Sequence, residues 1–300
     1  MPEVFLERAT DYPHALSLLP DLLDCILPDL TTLRVLVKPN FVALRNPNLA
    51  CTNAHFIHSV AVQCRERGAK VIIGDSPAFG SAQAIASHIG LTTLLPPDIP
   101  IITLGRGVPR TSGGFEVSIS ADALDADLII NLPKCKAHSQ MRYTGAVKNL
   151  FGCVVGVRKA LLHARHGDHG HDFLRMICGF MDILPPTISI MDGVIAMHET
   201  GPINGKPFAL HLLGASTNPV ALDTAMGMVF GKQPHVFPIW AECLRQNRLG
   251  AKPEELSFPL GKPEDFLADG FLFPHDLKPE SFRPGVLVRS LIKRLWMSLR

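Results

Sequence analysis

Short apolar runs alternate with amphipathic stretches along most of the chain, and the period of each run predicts its element. Residues 33–40 (LRVLVKPN), 70–77 (KVIIGDSP), 100–104 (PIITL) and 127–134 (DLIINLPK) are brief, largely β-branched and bounded by turn formers. That pattern predicts strands buried on both faces. Residues 115–120 (FEVSIS) alternate apolar with polar, predicting an antiparallel edge strand. Residues 187–197 and 210–217 predict two more strands. Helices are expected over 54–67, closed by Gly68, over 81–89, closed by Gly90, and over 220–229, opened by Asn218-Pro219. Residues after Lys134 read as a polar loop, with a helix starting near Thr144. Strands spaced by helices predict an α/β fold: a mainly parallel sheet flanked by helices, as one domain or as two lobes with the site between them.

The end of the chain breaks this rhythm. Residues 252–284 are proline-rich, and in the last segment Leu287, Leu291, Leu295 and Leu299 recur every fourth residue between Arg289, Lys293, Arg294 and Arg300. We therefore expect an α/β domain over 1–275 and a basic amphipathic tail over 276–300. The tail packs on the domain or, through 285–300, docks on a membrane surface or a partner.

Composition narrows the function. Of 300 residues, 47% are apolar and 19% charged, enough for a large core and unlike a disordered chain. A net charge of +2, with no basic stripe interleaved with aromatics, argues against nucleic acid as a partner. The first residues carry no secretory signal, and no run approaches the ~18–20 apolar residues that span a bilayer; a cytoplasmic location is expected. The seven cysteines are scattered, with no closely spaced set for a disulfide framework or an iron–sulfur cluster.

Candidate chemistry collects after the strands. In open parallel sheets ligands bind beyond the carboxyl ends. There the sequence places Lys38 and Asn40, Asp75 and Ser76, Lys134, Lys136 and His138, Asp192, and Asn218 followed by Asp223. Asp75 and Ser76 equally suit a helix cap, and Asn218 a turn. The densest group runs on through Arg142, Thr144, Gly145, Lys148, Asn149, Arg158, Lys159 and His163. Gly145 lets backbone approach a ligand, and a helix start offers N–H groups to an anion. The expected ligand is a small anion: a carboxylate, a phosphate or a nucleotide-like cofactor. His163, His166, His169 and His171, with Asp168, could hold a divalent metal or form a solvated loop. The glycine-rich stretch 193–207 is a lid or a connection.

KPN at 38–40, GDSP at 74–77, NLPK-x-K-x-H at 131–138, TGA-x-KNLFG at 144–152, MDG at 191–193 and NPVALD at 218–223 resemble, in order, the family called domain of unknown function 362. The resemblance spans most of 33–231. Many members carry an appended ferredoxin-like cysteine motif, which implies redox work; this chain lacks it. A fainter resemblance, His138 and nine residues later Lys148, then His163, is to nickel-pincer lactate racemases. It implies Lys148 contacting a cofactor, His163 as metal ligand and His138 as general acid/base. Asn149-Leu150-Phe151-Gly152 departs from that pattern.

Three functions stay open. In the first, an enzyme binds a small oxyacid at Lys134, Lys136, Thr144, Gly145 and Asn149, with Lys38, Asn40, Asp75, Ser76 and Asn218 around them. His138 and Lys148 are catalytic, and His163 and Asp192 hold a metal. In the second, the same site belongs to an accessory protein that holds a cofactor or metal for a redox partner. In the third, Cys135 and Cys153 do redox chemistry, against the plainer role of buried structural cysteines.

Overall fold

A computed structural model describes residues 1–77, 80–155 and 171–277. His163, the other basic residues and histidines between 156 and 170, and the tail from 278 lie outside the described residues.

The strands are β1 (Phe5–Arg8), β2 (Arg34–Pro39), β3 (Lys70–Asp75), β4 (Ile101–Thr103), β5 (Gly107–Ser112), β6 (Phe115–Ser120), β7 (Leu128–Leu132), β8 (Lys134–His138), β9 (Arg142–Thr144), β10 (Thr187–His198) and β11 (Lys206–Ser216). Nine form one sheet in the order β1-β11-β10-β7-β2-β3-β4, with β8 on β10 and β9 on β8. From β10 to β4 every neighbour is parallel. Both faces of this part are covered, which is why its strands read as unbroken apolar runs. Along β2, Val35 and Val37 face a core shared with Leu19, Leu22, Phe56 and Val60 from helices Tyr12–Ile26 and Ala54–Glu66. Leu36 faces the other way, into a core with Phe151, Phe173 and Phe180. A third cluster covers β11 with helix Pro219–Val229 and Trp240.

Three expectations are corrected, and for 193–207 the connection is the alternative that holds. Residues 134–138 form a strand, not a loop: β7 and β8 are one run interrupted at Pro133, and β8 continues the pairing on β10, Asp192 opposite Lys134. FEVSIS is antiparallel as expected, but pairs with β5 in a separate two-stranded sheet. β11 runs antiparallel to β10, with Ser216 beside Ser189, so its carboxyl end lies by the amino end of β10. Asn218 therefore does not join the other strand ends; it caps helix Pro219–Val229, accepting from the N–H groups of Val220 (2.9 Å) and Ala221 (3.0 Å). The stretch 193–207 is the end of β10 and the hairpin into β11.

Candidate anion and proton-transfer site

Two of the expected residues meet at the end of β2 and β3. Lys38 Nζ lies 3.0 Å from Asp75 Oδ1, both side chains buried. Asp75 also accepts the N–H groups of Phe41 (2.7 Å) and Ser76 (2.8 Å). A β-carbon on Gly152 would collide with both Asp75 Oδ1 and Lys38 Nζ. The last glycine of KNLFG is therefore fixed by this ion pair rather than by backbone angles.

A second pair lies on β8 and β10. Lys134 Nζ is 2.9 Å from Asp192 Oδ2, and both side chains are fully buried. Tyr12 accepts from Lys134 (2.8 Å) and donates to Asp192 (3.1 Å), while the Asn53 N–H donates to Asp192 (3.0 Å). Burial, then the Asp192 charge, pushes the Tyr12 hydroxyl far above its usual range, so it stays a donor. Asp192, expected as a metal ligand, pairs with Lys134 in this structure. Among the described residues no three His, Cys, Asp or Glu side chains stand together to hold a metal. The expected partner ligand, His163, lies outside them.

Lys136 differs from these two lysines. It is 3% exposed, and its Nζ donates to the Asn40 side-chain oxygen and to Ala50 O (2.8 Å), both uncharged. The Asn40 oxygen is oriented by a chain of amides. Asn40 Nδ2 donates to Asn149 Oδ1 (2.8 Å), Asn149 Nδ2 to Asn131 Oδ1 (2.8 Å), and Asn131 Nδ2 to Ser189 Oγ (2.9 Å) and Ala146 O (3.0 Å). Burial brings the Lys136 amine down to about 7, helped by the charges of Lys148 and Lys134 and opposed by Cys51 and, more weakly, by Asp75. Burial also raises the Cys51 thiol, so it supplies no neutralising anion. Directly across β8–β9 from Lys136 is Thr144. Its hydroxyl is buried and, among the described residues, has no hydrogen-bond partner.

His138 shares the polar face of β8 with Lys134 and Lys136, since side chains alternate along a strand. Its Nδ1 accepts from the N–H groups of Gln140 (3.1 Å) and Met141 (3.3 Å). Its Nε2 is 3.3 Å from Lys148 Nζ. Lys148 is half-buried in the short helix Ala146–Asn149. The expectation of free N–H groups at this helix start is corrected. Asp223 accepts from Ala146 N (2.7 Å) and Val147 N (3.0 Å), so the anion there is the protein's own. Desolvation raises Asp223 to about 7 against these hydrogen bonds. Gly145 is required because a β-carbon would strike Asp223 Oδ1 and the Tyr143 hydroxyl.

The structure thus gathers Lys38, Asn40, Asp75, Ser76, Asn131, Lys134, Lys136, His138, Thr144, Lys148, Asn149 and Asp192 along one edge, and leaves Asn218 apart. Sequence reasoning missed Tyr12, which carries no local signal, and the amide of Asn131, whose signal was a polar side chain inside an apolar strand. Cys135 is buried, with its thiol raised far above the usual range by desolvation, and Cys153 is buried on a 3-10 turn.

Residues 35–227 match the family model described as domain of unknown function (DUF362). The chain belongs to the DUF362 family. The match covers nearly the span over which its motifs run. This DUF362 member is 37% identical over 270 residues to the thylakoid-associated protein sll1697 of Synechocystis sp., covering 88% of this chain and 83% of that protein. Among solved structures, the lactate racemase apoprotein of Thermoanaerobacterium thermosaccharolyticum is similar at 11% identity and a TM-score of 0.49, over 75% of this chain and 57% of that one. The chain thus spans under two thirds of that racemase. That likeness stops at overall architecture and assigns no residue. No helix among the described residues is long and apolar enough to cross a membrane.

Proposed function

We propose that this protein binds a small organic anion against Lys136, Thr144 and Lys148, and that His138 moves a proton on it. One observation carries this reading. Among the described residues three lysines are buried, Lys38, Lys134 and Lys136, yet only the first two have a carboxylate. A buried cation without a counter-charge is costly, so such an amine is either neutral or neutralised by something bound. The orphaned Thr144 hydroxyl opposite it is a donor placed for the same ligand. His138, whose ordinary range lies near neutrality, is fixed through Nδ1 and presents Nε2 beside Lys148.

Titration calorimetry with inorganic phosphate and a panel of 2-hydroxy and 2-oxo acids tests the binding. Lys136→Met should weaken it at least tenfold, about 1.4 kcal/mol. Proton transfer is read as deuterium uptake from solvent into the bound acid; His138→Gln should slow it on the order of 100-fold while leaving Kd nearly unchanged. Unaltered anion binding by Lys136→Met would remove the basis of the proposal.

A second reading is an accessory that holds a cofactor for a redox partner; the description of the Synechocystis relative as thylakoid-associated favours a membrane as its place. Flotation with anionic vesicles separates the two. A cytoplasmic enzyme stays behind, and a peripheral membrane protein rises with the lipid.

A further inference from the structure

The hydrogen bonds around Lys136 specify more than a positive charge. A neutral primary amine has two N–H donors and one lone pair; an ammonium has three donors. Lys136 has two acceptors among the described residues, the Asn40 side-chain oxygen and Ala50 O. The Asn40 amide cannot turn to offer its NH2 instead, because that group is already donated to Asn149 in the chain that ends at Ser189. The acceptors thus match both hydrogens of the neutral amine and leave its lone pair. Neither Lys38 nor Lys134 is arranged this way, since each is held as a cation on a carboxylate.

We propose that Lys136 is a nucleophile that captures a carbonyl-bearing anion, a 2-oxo acid or an aldehyde acid, as an imine. The inference rests on the anion-site reading and narrows its ligand to a carbonyl compound. The amine lone pair adds to the carbonyl carbon, and the C=O π electrons move to oxygen, which takes up a proton. The nitrogen gives up a proton to form the carbinolamine; its lone pair then makes the C=N bond as the hydroxyl takes a second proton and leaves as water, and loss of the remaining N–H proton gives the imine. The sum is amine plus carbonyl giving imine plus water, with no oxidant or reductant. A desolvated lysine close to other cations is what such chemistry needs, because only the neutral amine attacks. Lys148 and Lys134 supply those cations. Thr144, buried opposite Lys136 without a partner among the described residues, is placed to hydrogen-bond the oxygen of the carbinolamine.

The test uses the full chain, glyoxylate or pyruvate as probe, and cyanoborohydride to reduce any imine to a stable amine. Intact mass and peptide mapping should show one adduct, on Lys136, and its rate of formation should rise with pH through about 7. Phosphate should compete with it, and Lys136→Met should lose it at least tenfold. Mapping of the wild-type chain stands even if that variant folds poorly. Adducts spread over exposed lysines such as Lys232 and Lys252, or an adduct on Lys148 in place of Lys136, would overturn the inference. So would no adduct at all. If phosphate still binds and no adduct forms, the imine is wrong and the anion site survives; if neither occurs, both readings fall.

Discussion

Lys136 is where burial and charge conflict most openly at the level of single residues. Removing an ammonium from water favours its neutral form, and among the described residues its hydrogen bonds go to uncharged oxygens rather than to a carboxylate. The consequence for stability has a definite sign. The unfolded amine titrates near its usual 10.5 and the folded one near 7. Between those values the unfolded chain binds the extra proton, so raising the pH stabilises the fold. Without ligand, the wild type should therefore gain stability relative to Lys136→Met from pH 7 to 9, by on the order of 1 kcal/mol per pH unit. Urea unfolding of both proteins at several pH values measures it; parallel curves would mean that the amine is charged when folded. Gly145 and Gly152 belong to this scale too, since each leaves room for a neighbouring polar group that any side chain would displace.

At the level of elements, the first turn of helix Ala146–Asn149 depends on a carboxylate from a different helix, Pro219–Val229. Asp223 titrates near 7 when folded and near 3.8 when unfolded. Its contribution is complete below pH 3.8 and is lost as pH rises through 7. Replacing Asp223 by Asn should flatten that decline between pH 4 and 7. It should also loosen the turn that carries Lys148, weakening anion binding about tenfold, which calorimetry reads. An unchanged pH profile would contradict the assignment. Strand β8 shows why a local pattern misled. Lys134, Lys136 and His138 alternate with Cys135 and Ala137 at the period of a strand, but the polar side faces inward. Polarity at every second position signals a solvent face when the interior is apolar. Here the interior is the site.

Across the whole molecule, residues remote in sequence make one structure. Tyr12 at the start of the first long helix, Lys134 on β8 and Asp192 on β10 share a single buried hydrogen-bond network. Tyr12→Phe should cost about 1 kcal/mol, since the ion pair keeps its other contacts. Lys134→Met should cost about 3–5 kcal/mol, because Asp192 would stay buried without its cation. Chemical denaturation ranks the two, and equal losses would show that the ion pair is not what holds this network.

The sequence by itself determined six strands of the central sheet, though not β1, β8 or β9, and most of the strand ends that bear polar groups. Runs such as LRVLVK and DLIINL must be buried on both faces, and the turn residues that close them are local. Even the glycines of the family motifs were visible, though not their reason. Only the tertiary structure decided which lysine meets which carboxylate. Lys38 finds Asp75 and Lys134 finds Asp192 because β2 lies beside β3 and β8 beside β10. It also turned β11 around, taking Asn218 away from the site while bringing Asp223 back to it by the following helix. Periodicity records whether a side chain is inward or outward, a property of neighbours in sequence. Charge pairing depends on strand order and direction, which the chain sets only when the whole sheet closes.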